Sequence, residues 1–149
     1  MIETVDLKIP PRPEYISVAR LTAAAVAARQ DFTYDEIEDL KVAVSEACNA
    51  LIQSQGDSGA QIALHFVEDA DALEISIEGR PGAGSRLFLP DARATVRRDE
   101  MADDQRALGV FLMQCLVDEV RRIDGDGGIA LRLRKKQRER TSGSPSSAQ

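Results

Sequence analysis

The chain has 149 residues, enough for one domain with a hydrophobic core of its own. Its 43% hydrophobic and 30% charged content is ordinary for a soluble globular protein, and no apolar run approaches the roughly 20 residues of a membrane span. The net charge of −6 is uneven: residues 132–149 hold six basic side chains and one acidic, +5, so the rest carries −11, which argues against non-specific nucleic-acid binding by the folded part.

The start, with Glu3 and Asp6, lacks a basic stretch followed by an apolar one, so no signal peptide and a cytoplasmic protein are expected. Val5, Leu7 and Ile9 alternate with Asp6 and Lys8, which predicts a half-buried strand. Pro10, Pro11 and Pro13 end it, and Pro13 suits the first turn of a helix. Val18, Leu21, Ala25 and Ala28 recur at helical spacing and predict an apolar stripe on a helix running to about Gln30. Thr33, with Glu36 three residues later, is a capping box, and Asp35, Glu36, Glu38 and Asp39 load the next helix start with the charge its dipole favours. That helix should bury Ile37, Leu40, Val44, Cys48 and Leu51, with Asp39, Val42, Glu46, Asn49 and Gln53 on the other side, and stop at Gly56–Gly59.

Ile62, Leu64 and Phe66, then Leu73, Ile75 and Ile77, alternate with polar or small residues about a turn at Glu68–Asp71, which predicts an antiparallel hairpin with one apolar face. His65 falls on the other face as an exposed strand residue. Gly79 to Asp104 has little periodicity and predicts a functional loop or lid, with a short helix around Asp91–Arg98. A helix capped by Asp103 or Asp104 follows, with Leu108, Phe111, Leu112, Cys115 and Leu116 as its stripe. Val117, Val120 and Ile123 suggest a strand, and Asp124–Gly128 a turn into the strand of Ile129, Leu131 and Leu133. Cys48 and Cys115 have no metal-type spacing and read as buried small hydrophobes. The basic end reads as a solvated strand terminus and tail; without interleaved aromatics, no direct nucleic-acid contact is expected. The element order predicts an α+β two-layer sandwich, a mostly antiparallel sheet covered on one face by helices. The domain is expected over 1–135 and a disordered, basic and Ser-rich tail over 136–149.

Three segments narrow the reading. "LKIPPRPEYISVARLT" (Leu7–Thr22), "YDEIEDLKVAVSEACNALIQ" (Tyr34–Gln53) and "RALGVFLMQCLVDEV" (Arg106–Val120) closely resemble the bacterial anti-sigma-factor serine kinases of the GHKL, or histidine kinase-like, ATPases. The resemblance spans about Val5 to Lys135. It implies the Bergerat fold, an ATP and Mg²⁺ site, and regulation of transcription by a homodimer that phosphorylates a STAS-domain anti-anti-sigma factor or binds a sigma factor. In such proteins Glu-x-x-x-Asn supplies a general base and a Mg²⁺ ligand, Asp-x-Gly-x-Gly reads adenine, and Gly-x-Gly opening the last helix receives phosphate.

Carried over by position, Glu46 is the base. Ala50 occupies the expected metal-ligand position, and Asn49 stands one residue early, about 100° around the helix. Gly82 and Gly84 match the second motif's glycines, with Arg80 at its Asp position. Gly109 matches the last motif, where Ala107 replaces the first glycine. Asn49, Gly82, Gly84 and Gly109 are thus the candidate ATP contacts, and Arg20 matches a partner-binding position.

Ala50 has no oxygen for Mg²⁺, which takes hard oxygen ligands. Arg80 has only donors and cannot accept from the adenine amino group. Three departures at separate contacts predict a module that binds a sigma factor or a STAS-domain protein with a weakened or lost nucleotide site. The alternative is an active serine kinase in which Asn49 or a water holds the metal.

Overall fold

The computed structural model describes residues 2–55, 59–80, 105–125 and 128–138. The elements are β1 (Glu3–Ile9), a 3-10 turn at Pro13–Tyr15, α1 (Ile16–Arg29), α2 (Tyr34–Gln55), β2 (Ile62–Glu68), β3 (Ala72–Gly79), α3 (Gln105–Leu116), β4 (Glu119–Gly125) and β5 (Gly128–Lys136). The strands form one sheet in the order β1-β2-β3-β5-β4, every neighbouring pair antiparallel. The helices cover one face, with α2 between α1 and α3. The α+β two-layer sandwich is therefore the observed fold. Among the described residues no helix is long and apolar enough to cross a membrane.

Register builds the core. Val5, Phe66, Ile75 and Leu133 lie in one cross-strand row, and Leu7, Leu64, Ile77 and Leu131 in the next. Leu40, Ala43, Val44, Ala47, Cys48 and Leu51 of α2 meet these rows and are fully buried. The same alternation sends Asp6, His65, Ser76, Arg132 and Arg121 to the outer face. His65 sits there beside Asp6, exposed as expected.

The capping box forms as the sequence implied. Thr33 N–H donates to Glu36 Oε1 (3.1 Å), and Glu36 N–H donates to Thr33 Oγ1 (3.2 Å). Glu36 Oε2 also accepts from Arg138 N–H (3.3 Å), so one buried carboxylate starts α2 and anchors the chain after β5. Burial raises the Glu36 pKa, but the hydrogen bonds from Thr33 and Arg138 and the nearby Lys135 charge outweigh it and hold it below its ordinary 4.5. A depressed folded value means stability that is present above 4.5 and is lost as the pH falls through the folded value. Thr33→Ala is expected to cost about 1 kcal/mol in thermal melts at neutral pH. Glu36→Gln should flatten the loss of melting temperature below pH 4.5.

Three sequence expectations about the helices are corrected. On α1 the buried residues are Ala19, Ala23, Val26 and Ala27, while Val18, Leu21, Ala25 and Ala28 face outward. This helix is apolar on most sides, so spacing fits two stripes, and the alanine stripe lets α1 approach α2 closely. On α3 the buried stripe is Val110, Met113 and Val117, with Phe111, Leu112 and Leu116 half-buried and Leu108 and Cys115 exposed. Val117 closes α3 rather than opening β4: its N–H donates to Met113 O (3.2 Å).

The basic end is not simply solvated. Arg132 and Arg134 pair with Glu74, and Arg134 also with Asp69. Lys135 points inward, is nearly buried, donates to Leu116 O (2.6 Å) and lies 3.7 Å from Asp39.

The cysteines behave differently from one another. Cys48 is buried, and that burial pushes its thiol up to about 12. Cys115 is exposed. A thiol reagent should modify one cysteine of the native protein quickly and the second only on unfolding; fast modification of two would contradict the α2 packing.

The expected short helix at Asp91–Arg98, the cap at Asp103 or Asp104, and the tail beyond residue 138 lie outside the described residues.

Candidate functional site

α2 carries the site because its apolar stripe pins it to the sheet while its flanks face α1 and α3. Glu46 is on such a flank, half-buried. A Cβ built on Gly109 of α3 would lie 2.7 Å from Glu46 Oε2, so α3 can come this close only where it has no side chain. Glu46 and Gly109, two residues chosen from separate motifs, are therefore in contact.

Glu46 also lines a cleft of about 320 Å³ on its other side, between α2 and the beginning of α1. Ser45 and Asn49 join it from α2; Pro13, Ile16, Ser17 and Arg20 close it from the facing segment. Glu46 and Asn49 share this wall because residues three apart are neighbours on a helix surface. Ser45 Oγ donates to Lys41 O (2.7 Å) and Ser17 Oγ to Glu14 O (3.3 Å), which ties both hydroxyls to nearby backbone. Ala50, half-buried, packs against the core. Among the described residues no group of three or more His, Cys, Asp or Glu could hold a metal ion.

The end of β3 places the second motif differently from the sequence expectation. Ile75, Ile77 and Gly79 face the helices. A Cβ on Gly79 would lie 2.9 Å from the Gln55 carboxamide and 3.4 Å from Ile62 Cδ1 and Leu51 Cδ2, so Gln55 fills the space a side chain would need. With its amide oriented to satisfy both ends, Gln55 donates to Ala60 O (2.7 Å) and accepts from Arg80 N–H (3.2 Å). Arg80, aligned to the adenine-reading position, follows Gly79, the last helix-facing residue of β3, and lines a cavity of about 600 Å³ at this end of the sheet with Lys8, Ala63, Glu78 and Ala130 of the outer face and Gly79 and Ile129 of the other. Gly82 and Gly84 lie outside the described residues.

The structure thus brings Arg20, Glu46 and Asn49 to one cleft and sets Gly109 behind Glu46. The sequence reading missed Ser17, Ser45 and the Gly79–Gln55 contact. Parity along β3 from Ile75 would have pointed to Gly79 rather than Arg80 as the inward residue.

This architecture is that of a known ATPase class. The family described as the histidine kinase-like ATPase domain matches residues 9–135, and the chain belongs to that family. Within it, the chain is similar to proteins named serine-protein kinase RsbW. The Bacillus pumilus protein is 38% identical over 147 residues, 91% of this chain and 88% of that protein. The Bacillus subtilis protein is 33% identical over 137 residues, 88% and 84% of the two chains. A crystal structure of the RsbU and RsbW domains of a Mycobacterium tuberculosis protein shares the fold, with a TM-score of 0.65 at 15% identity; the match covers 91% of this chain and 32% of that longer one.

Proposed function

We propose that this protein is an anti-sigma-type regulator of transcription that works by binding a STAS-domain anti-anti-sigma factor, a sigma factor or both, with a weakened or lost nucleotide site. Its relatives are named as serine-protein kinases, so the family role supplies the partner class and ATP with Mg²⁺. The observation that carries the departure from them is on α2. One turn beyond Glu46, where a hard oxygen would be needed for Mg²⁺, Ala50 packs against the core, and the nearest carboxamide, Asn49, faces α1. Phosphoryl transfer depends on metal and positioning, so this loss falls on the main contribution to catalysis. The same reading makes the protein a cytoplasmic homodimer, which sedimentation of the purified protein tests for its second part.

A second reading, an active serine kinase, is favoured by the Glu46 carboxylate held against Gly109, a carboxylate that would serve as the general base in that reading.

One experiment separates them. Purified protein is titrated with ATP and Mg²⁺, then mixed with a STAS-domain protein and assayed for phosphoserine. Tight partner binding that ignores nucleotide supports the regulator. Micromolar ATP binding with partner phosphorylation that disappears in Glu46→Ala establishes the kinase instead.

A further inference from the structure

We propose that Asn49 reads the partner: its carboxamide hydrogen-bonds the main chain of a protein segment docked in the cleft between α1 and α2, and it holds neither metal nor nucleotide. This rests on the regulator reading above and gives one residue of its partner surface a task.

The first support is placement. Asn49 lines the 320 Å³ cleft with Arg20 and Glu46, at the small end of the roughly 300–1,000 Å³ typical of ligand clefts.

The second is unspent hydrogen-bonding capacity. The two cleft serines are committed to nearby carbonyls. Among the described residues, the side chains of Arg20, Glu46 and Asn49 make no hydrogen bond or ion pair, although they line one small cleft. Their groups face whatever enters it.

The third is chemical match. A carboxamide offers both donors and an acceptor, as a peptide group does, so it can pair with a main-chain N–H and C=O together. Arg20 and Glu46 border the same space with opposite charges. A neutral, dipolar peptide satisfies a cation and an anion at once. A triphosphate would set its charge against Glu46 with only Arg20 in return. A metal ion there would find one carboxylate, Glu46, and one carboxamide oxygen, with the Arg20 guanidinium facing it across the same cleft.

The test uses full-length protein, Asn49→Ala and Asn49→Asp, with the STAS-domain protein that binds the wild type in the experiment above. Aspartate keeps the shape and an acceptor, loses the donors, and is a better metal ligand than asparagine. Calorimetry should show partner affinity about tenfold weaker in both variants, with the melting temperature and the response to ATP and Mg²⁺ as in the wild type. Unchanged partner affinity in the variants, with the wild type binding normally, overturns this inference alone. Mg²⁺-dependent ATP binding that is lost in Asn49→Ala and kept in Asn49→Asp also overturns it, making Asn49 a metal ligand. A wild type that binds no partner brings down the regulator reading and this inference together.

Discussion

Phe66→Ala is expected to cost about 3–5 kcal/mol, a large share of the roughly 5–15 kcal/mol that holds a domain together. Phe66 is fully buried on β2, between Val5 on one side and Ile75 on the other, with Leu133 completing the row. Its neighbours are anchored in paired strands and cannot collapse into the space it would leave. Urea unfolding should show a lower midpoint with the slope little changed. Val18→Ala is the control: Val18 is a large apolar side chain that α1 turns outward, so its truncation should change stability by less than about 0.5 kcal/mol. Equal losses at the two positions would mean that α1 is rotated from the orientation described.

Ala50→Asn is expected to raise the affinity for ATP with Mg²⁺ by about tenfold, with no gain when the metal is chelated. The substitution returns a hard oxygen to the turn of α2 after Glu46, at a position only half-buried, where a longer side chain can extend. Adding Arg80→Asp should contribute nothing further, because Arg80 falls one residue past Gly79, the last helix-facing residue of β3. A further gain from Arg80→Asp would show that β3 ends in a different register. No gain from Ala50→Asn would show that nucleotide does not approach α2 at this turn.

The parts of the fold legible in the sequence were those fixed by two-residue alternation and by local capping chemistry. Each strand of the central hairpin has one face that must be dry, so Leu64, Phe66, Ile75 and Ile77 could only point inward. Thr33 and Glu36 bond to each other, and their spacing alone sets that geometry. The rotation of α1 and α3 was not legible, because both are apolar on most sides and only the neighbouring helix decides which face is covered. The site was legible as residue types on α2 but not as a shape. Glu46 and Asn49 are close in sequence, whereas the approach of Glu46 to Gly109 and the cleft shared with Ser17 and Arg20 depend on how three helices lie together. The register at the end of β3 was lost for a simpler reason: matching glycines drew the motif past the last inward residue, Gly79.

The anchoring of the chain after β5 gives the molecule a built-in measuring axis. Gln137 N–H donates to Asp71 O (2.8 Å), its side chain reaches Gln30, and Arg138 N–H bonds Glu36, all at the end of the sheet where β3 begins. The Gly79 end of β3 lies a full strand away, about 23 Å at roughly 3.3 Å for each step along its eight residues. A dye attached at Arg138 would therefore start from an origin hydrogen-bonded to the body of the domain, well clear of the residues around Gly79. Energy transfer from that origin to a bound partner would report the distance and direction of docking without a label intruding on the surface being measured.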